Sequence, residues 1–251
     1  MTTSLPNRTG LVPAIPSRKI PYRPGARFNF GLCYTCMRQA SHTPPRFEDK
    51  PARASLRLGH RGFFMFTTFT GSDNGHWRVI RLDPVIGETL TPASHLAIAR
   101  NSAFTPGAES RSPDSQGWRL TGFASNVRYV ERAEKTQLAA TQLPLGRGGA
   151  TRAALIPIKK SAAWWDLTQE ERRAIFEDQS HHIAASLKYL PLIARQLYHA
   201  RDLGEPFDFL TWFEYPPAAA DDFETLVKTL RATEEWRYVE REVDIRLTAT
   251  N

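Results

Sequence analysis

The chain has 251 residues, of which 41% are hydrophobic and 24% are charged, a balance typical of a soluble globular protein with enough apolar residues for a core. This composition excludes collagen, wholesale disorder and a disulfide scaffold, and the longest apolar run, Ala153 to Ile158, is far shorter than the roughly 18 to 20 residues of a membrane helix. The net charge of +7 suggests a nucleic-acid partner, so the position of the charges has to be considered next.

The basic residues are concentrated at the N-terminal end of the chain. Residues 1–64 carry 11 Lys and Arg against 2 Asp and Glu, whereas residues 65–251 carry 22 against 24. Residues 1–64 also hold 8 of the 18 prolines and show no helical or alternating apolar period, so we predict a basic, Pro-rich, disordered leader. Three origins remain open: an organelle transit peptide, whose amphipathic helix the prolines disfavour; a secretory signal, for which the apolar stretch is too short; and a protein that begins at Met65.

The leader contains both cysteines. Cys33 and Cys36 form the motif CYTC, whose spacing fits half a zinc site or a redox pair. No second pair follows in the sequence, so we interpret the two as incidental thiols. Two cysteines in 251 residues also fit a reducing compartment, and we expect a cytoplasmic protein.

Residues 65–150 are predicted to form several strands and one helix. In chain order, the patterns predict strands at Phe66 to Thr70 and His76 to Leu82, a loop at 105–117, a strand at Trp118 to Ala124 and a helix at Glu131 to Gln142.

Residues 151–251 follow the order βαββαβ. The predicted elements are a strand at Ala153 to Lys160, a helix from the capping box at Thr168 to Pro191 at the latest, a hairpin of strands Ala194 to Ala200 and Phe207 to Tyr215, a helix through Phe223, Leu226, Val227 and Leu230, and a strand at Trp236 to Leu247. This order is that of the ferredoxin-like fold, which carries many unrelated functions. An RNA-recognition module of this fold needs a basic surface, but the segment has 13 Lys and Arg against 17 Asp and Glu, so we predict no nucleic-acid partner.

Two adjacent histidines lie on the first of these helices. His181 and His182 point about 100° apart and cannot serve one face together. His181 follows Glu177 on a polar stripe, whereas His182 shares a face with Ile175, so His182 is the better candidate for a buried ring. Whether that ring is a core histidine or a ligand stays open at this point.

The predicted hairpin brings a cation onto an aromatic face. Strand alternation places on one side Arg195, Leu197 and His199 from its first strand and Phe207, Phe209, Thr211 and Phe213 from its second. A buried guanidinium needs a partner. Because Glu214 and Asp208 point the other way, the pattern favours a bound anion over a structural ion pair.

These segments closely resemble the chlorite dismutases, which bind haem b. The resemblance is carried by KKSAAWWDLTQEERRAIFEDQSHHIAASLKYLPLIARQLYHARDLGEPFDFLTWFEYPP and LRATEEWRYVEREVDIRL, together with DPVIGE, SNVRYVERAEK and TRAALIPI. It covers residues 65–251 and is similar to the short, dimeric bacterial lineage. It implies an α+β fold, a dimeric α+β barrel with a shortened N-terminal ferredoxin-like half (65–150) and a complete haem-binding C-terminal one (151–251), acting as a homodimer.

The resemblance also implies roles for individual residues. His182 would be the proximal ligand of the haem iron, with Glu235 and Lys160 behind it. Arg195 would be the catalytic distal arginine, and the other residues expected around the cofactor are Trp164, Trp165, Tyr129 as a propionate contact, Thr211 and Phe213.

The implied reaction converts chlorite to chloride and dioxygen. One chlorine–oxygen bond breaks at ferric haem, and the hypochlorite fragment then recombines with the transferred oxygen. No net proton is consumed, so the distal side needs a fixed positive charge to hold an anion rather than a general base. A small anionic substrate and no membrane partner complete this expectation.

Two alternatives remain beside this interpretation. Coproheme decarboxylases, or peroxidase-like relatives, share the fold and the proximal histidine, but the decarboxylases use a tyrosine immediately before a PxxK segment. The segment here reads IPIKK, which puts Ile156 at that position. A non-enzymatic haem-binding dimer would keep His182 but has no use for Arg195.

Overall fold

The structure, a computed structural model, describes residues 65–101, 117–124 and 128–250. The predicted leader with its CYTC motif, and all but the last residue of the loop at 105–117, lie outside the described residues.

The described residues form eight strands that close into an antiparallel barrel with the order β1-β3-β2-β8-β5-β7-β6-β4. The strands are β1 (Phe66–Ser72), β2 (Trp77–Ile86), β3 (His95–Asn101), β4 (Trp118–Phe123), β5 (Arg152–Lys160), β6 (Ala194–His199), β7 (Phe209–Tyr215) and β8 (Val239–Ala249). Each half of the barrel repeats one arrangement, in which its four strands lie in the order fourth, first, third, second. The halves join at β2 against β8 and at β4 against β6.

The barrel interior is filled by side chains from alternate strand positions. Phe69, Leu120, Leu155, Trp212 and Ile245 are at most 2% exposed there and belong to one apolar cluster. Burial of each such side chain stabilises the fold by about 1.5–3 kcal/mol. Gly71 makes this packing possible, because a Cβ at that position would lie 2.2 Å from the ring of Trp118.

The helices cover the outer face of the C-terminal half of the sheet. They are α1 (Arg132–Thr141), α2 (Ala162–Asp166), α3 (Gln169–Arg173), α4 (His182–Leu187) and α5 (Ala220–Arg231). The predicted apolar stripe of α5 is confirmed, since Phe223, Leu226, Val227 and Leu230 are all buried against the sheet. None of the helices in the described part of the chain has the length and hydropathy needed to cross a membrane.

The prediction of one continuous helix up to Pro191 is wrong. α3 begins at the predicted capping box of Thr168, but it is followed by a π-helical segment, Ala174–Gln179, and a break at His181 before α4 starts. His181 has a left-handed backbone with φ 49°, which no regular helix allows. The face shared by Ile175 and His182 in a regular helix therefore does not exist.

Three smaller differences concern strands. β3 was not predicted, because its apolar alternation is limited to Leu96 and Ile98. β8 starts at Val239 rather than Trp236, since residues Glu234–Tyr238 form a 3-10 turn. Phe207 was predicted on the outer face with Phe209, but it lies before β7 and packs in the barrel interior, because residues 207 and 208 form a bend.

Candidate functional site

A cavity lies between the outer face of β5, β6 and β7 and the layer of helices. It contains about 1160 Å³ of empty space, part of it open to solvent, and its walls are mostly apolar. Every predicted site residue except Trp165 lines it. A large apolar pocket with few polar groups is the usual form of a cofactor or ligand site.

The sheet places three pairs of side chains along one wall of this cavity. In the register of β6 and β7, Arg195 lies opposite Phe213, Leu197 opposite Thr211, and His199 opposite Phe209. All six line the cavity, so the alternation predicted for these two strands is confirmed except at Phe207. The wall is apolar apart from Arg195, His199 and the hydroxyl of Thr211.

The guanidinium of Arg195 is an unpartnered cation within this wall. Its Nε has no hydrogen-bond partner, and none of the ion pairs among residues 65–101, 117–124 and 128–250 includes it. Burial lowers its pKa below the ordinary value of an arginine, but the guanidinium remains charged near neutral pH. The wall therefore carries a fixed positive charge facing an apolar space.

A second polar feature of the cavity is a hydrogen-bonded series of three residues from different elements. The Nδ1 of His182 lies 2.7 Å from Oε2 of Glu235, and Nζ of Lys160 donates to Oε1 of the same carboxylate over 2.8 Å. Lys160 is 4% and Glu235 6% exposed. β5, α4 and the turn before β8 supply one residue each, so the series exists only in the folded protein.

The charge state of Glu235 determines which nitrogen of the His182 imidazole carries a proton. Burial would raise the pKa of Glu235, but its electrostatic interactions and hydrogen bonds with His182 and Lys160 outweigh this effect and lower the pKa to about 2. A carboxylate that is ionised only accepts hydrogen bonds, so Nδ1 of His182 carries the proton. In the neutral form of the imidazole, which is the form that binds metal ions, the free lone pair is therefore on Nε2.

Two aromatic rings hold the imidazole plane. Phe176 stacks on His182 with ring centroids 4.4 Å apart and an interplanar angle of 24°, and Trp236 lies nearly parallel at 6.5 Å. The structure brings His182 to the cavity and not His181, as predicted, although the helix argument behind that choice was wrong.

Two further polar atoms at the cavity lack partners among the residues that the structure describes. They are Nε1 of Trp164, which is 1% exposed, and the hydroxyl of Tyr129. The two rings meet edge to face at 6.1 Å, and Nζ of Lys160 lies 4.6 Å above the Trp164 ring. Buried donors without partners are rare in proteins, which points to an acceptor supplied by a bound group.

Trp165 does not reach the cavity, so its predicted contact with a cofactor is not supported. Its Nε1 donates to Oδ2 of Asp208 over 3.1 Å, and Arg201 lies 4.0 Å above its ring. It stacks behind Phe209, whose ring separates it from the cavity. The neighbours Trp164 and Trp165 belong to one helical turn and therefore point in different directions.

Among the cavity residues that were not predicted as site residues are His199, Phe176 and Trp236. His199 was placed on the correct face of β6 but given no role; burial, with a further contribution from Arg128, lowers its pKa to about 4, so its ring is neutral near pH 7. Phe176 lies six residues before His182, a spacing that brings no contact in a regular helix, so no sequence signal reveals it. Trp236 was assigned to the last strand, which hid its position beside Glu235.

The comparisons with known proteins point to one family. A family model described as "Chlorite dismutase" matches residues 80–250. A crystal structure of dimeric chlorite dismutase from Nitrobacter winogradskyi is 65% identical, with a TM-score of 0.66 over 73% of this chain and 99% of that one. A curated chlorite dismutase from Ideonella dechloratans is 31% identical over 126 residues, a match that covers 47% of this chain but only 40% of that protein.

A more distant crystal structure supports the fold alone. It is a mutant chlorite dismutase from Candidatus Nitrospira defluvii in complex with cyanide, 22% identical with a TM-score of 0.55 over 74% of this chain and 91% of that one. The family model matches more than half of the sequence, and the matched segment contains Lys160, His182 and Glu235. The chain therefore belongs to the chlorite dismutase family.

Proposed function

We propose that the protein is a haem b-dependent chlorite dismutase that converts chlorite to chloride and dioxygen. The observation that carries the proposal is that two groups line one apolar cavity: the imidazole of His182, backed by a carboxylate, and the guanidinium of Arg195, which has no partner among the described residues. Conversion of chlorite needs both a ligand for the iron and a positive charge that holds the anionic substrate.

The residues of the cavity fit an iron porphyrin. The described residues contain no cluster of three or more His, Cys, Asp and Glu that could bind a bare metal ion, so a single imidazole suits an iron whose other ligands come from a macrocycle. Nε1 of Trp164 and the hydroxyl of Tyr129 are free to donate to the carboxylates of such a cofactor. Bound haem supplies the iron at which a chlorine–oxygen bond breaks and an oxygen–oxygen bond forms.

The proximal residues set how strongly His182 donates to a metal. Glu235 accepts a hydrogen bond from Nδ1 of His182, which gives the ring partial anionic character and strengthens Nε2 as a ligand. Lys160 keeps the carboxylate in place and ionised. Phe176 prevents the ring from rotating out of this geometry.

Arg195 provides the charge that the substrate requires. Chlorite, the hypochlorite fragment and chloride are all anions, and the overall conversion of chlorite to chloride and dioxygen neither takes up nor releases a proton. A fixed cation therefore suffices, and Leu197 and Phe213 keep the surroundings apolar so that its field is weakly screened.

The two alternative functions are less well supported. Ile156 lines the cavity at the position expected for the decarboxylase tyrosine, and its side chain has no oxidisable group. A haem-storing dimer explains His182 but leaves the charge of Arg195 at the cavity wall without a purpose.

We also propose the finer organisation. The strand order of β5 to β8 and its repetition in β1 to β4 support a complete ferredoxin-like unit at 151–251 and a shortened one at 65–150. The dimeric relative with 65% identity supports a homodimer. A cytoplasmic location stays a prediction from the cysteine content.

The experiment is to mix the haem-loaded protein with chlorite and record oxygen release and the absorption spectrum by stopped flow. We expect Arg195→Ala to lower catalysis and to bleach the haem earlier, because hypochlorite is no longer retained. Arg78→Ala, which removes an exposed arginine on β2, is the matched control. Equal turnover and equal lifetime in the Arg195 variant and the control would exclude a role of Arg195, and absence of oxygen from the wild type would exclude the activity.

A further inference from the structure

The helix that carries His182 is interrupted directly before this residue. In the π-helical segment the amide of Ser180 donates to the carbonyl of Ile175, five residues back, over 3.2 Å. His181 then adopts its left-handed conformation, and His182 becomes the first helical residue of α4. Such interruptions within helices are frequently found at functional sites.

A buried carboxylate caps the new helix. Glu177, 9% exposed, accepts hydrogen bonds from the amides of Ile183 over 2.6 Å and Ala184 over 3.2 Å. In an uninterrupted helix these amides would donate to the carbonyls of residues 179 and 180 instead. Among the ion pairs of the described residues none includes Glu177, so its acceptors are satisfied by the start of α4.

The same interruption is attached to the proximal carboxylate. The hydroxyl of Ser180 accepts the amide of Glu235 over 2.9 Å, while the carboxylate of Glu235 lies against Nδ1 of His182. Phe176, which stacks on the imidazole, belongs to the π-helical segment. The backbone on both sides of the His182–Glu235 hydrogen bond is thereby fixed.

We propose that Glu177 is a positioning residue for His182. By replacing two carbonyl acceptors it holds the start of α4 in the interrupted geometry and so fixes the direction in which Nε2 enters the cavity. This inference rests on the proposed function, since it concerns the bond between His182 and the haem iron. It assigns a role to a carboxylate that touches neither the cofactor site nor the imidazole.

The test uses haem-loaded wild type, Glu177→Gln and Glu170→Gln. The first variant replaces one acceptor by an amide donor that faces a backbone N–H, and the second makes the same charge change at an exposed residue of α3. We measure the iron–imidazole stretching frequency of the ferrous protein by resonance Raman spectroscopy and the rate of haem transfer to an excess of an apo-globin. For Glu177→Gln we expect a lower frequency and haem release faster by about tenfold, the size seen when outer partners of a metal ligand are lost.

The two readouts separate the possible results. A frequency and release rate equal to those of Glu170→Gln would overturn the positioning role while leaving the proposed function intact. Lack of an iron–imidazole band in the wild type, or its persistence in His182→Ala, would overturn the proposed function and this inference with it. If Glu177→Gln does not fold, Glu177→Asp keeps the charge but withdraws the carboxylate from the amides. An iron–imidazole frequency below that of the wild type then supports the proposal, and an unchanged frequency overturns it.

Discussion

Replacing Lys160 by Met is expected to destabilise the protein far more than replacing its neighbour Lys159 by Met. Both lysines lie on β5 and both have a glutamate partner at nearly the same distance, 2.8 Å for Lys160 to Glu235 and 2.9 Å for Lys159 to Glu240. The two pairs differ in burial. The side chains are 3% and 7% exposed in the first pair and 44% and 51% exposed in the second.

Burial decides the size of the two effects. Removing one partner of a buried pair leaves a carboxylate without enough compensation and costs about 3–5 kcal/mol, whereas an exposed pair contributes about 0–1 kcal/mol. For a domain of this size, 1 kcal/mol corresponds to roughly 2–4 °C in Tm, so Lys160→Met should lower Tm by roughly 6–20 °C. Met preserves most of the packing of Lys160 over the Trp164 ring, so the difference reports mainly the charge.

The measurement is equilibrium unfolding in urea near pH 7, followed by tryptophan fluorescence, for both single variants. The double variant Lys160→Met/Glu235→Gln should recover part of the loss, because it no longer leaves a charge unpaired. If the two single variants lose the same free energy of unfolding, then the pair of Lys160 and Glu235 does not behave as a buried ion pair and the argument for an ionised Glu235 fails.

Two further predictions concern acid stability and packing. The pKa of Glu235 is lowered from 4.5 to about 2, so its contribution of about 3 kcal/mol to stability is complete above pH 4.5 and is lost as the pH falls through 2. The variant Glu235→Gln should therefore show a flatter dependence of the unfolding free energy on pH in this range. An unchanged slope would contradict the lowered pKa. Gly71→Ala should lower the unfolding free energy by about 1–3 kcal/mol because of the clash with Trp118. Gly148→Ala, with no atom within 4 Å of its Cβ, should be nearly neutral. Thermal unfolding of both variants tests the difference, and equal Tm values would contradict it.

The sheet wall of the cavity could be predicted because strands have a strict period of two. Arg195, Leu197 and His199 are separated by one residue each, and β7 supplies its partners with the same period, so no information about distant contacts was needed. The period fails at Phe207, where Asp208 turns the chain: its amide donates to the carbonyl of Ile158 and its carboxylate accepts the amide of Lys160. These contacts come from β5, about 50 residues away, and no local pattern encodes them.

The helical wall could be predicted only in part. Local signals gave the capping box at Thr168 and the choice of His182, but the break at His181 depends on a carboxylate that reaches six and seven residues forward. A regular helix forms from local hydrogen bonds. Its period of 3.6 residues applies only to a regular helix and therefore cannot predict an interruption. The interruption places Phe176 against the imidazole, and this contact could not be predicted because the interruption itself could not.

β8 shows a second kind of limit. Its alternation is typical of a strand with one face in solvent, yet Glu242 and Asp244 are 0% and 1% exposed, because α5 lies over that face. Arg231 from α5 donates to both carboxylates, over 2.6 Å to Glu242 and 2.8 Å to Asp244. Arg246 also donates to Asp244, over 2.9 Å, so the two negative charges are neutralised where they are buried. The other carboxylate oxygen of Glu242 accepts Nε1 of Trp236 over 2.8 Å, and the ring of Trp236 flanks His182. The polar face of β8 therefore supports the wall of the site, and the packing of Trp236 beside His182 depends on charged residues that the sequence pattern assigns to solvent.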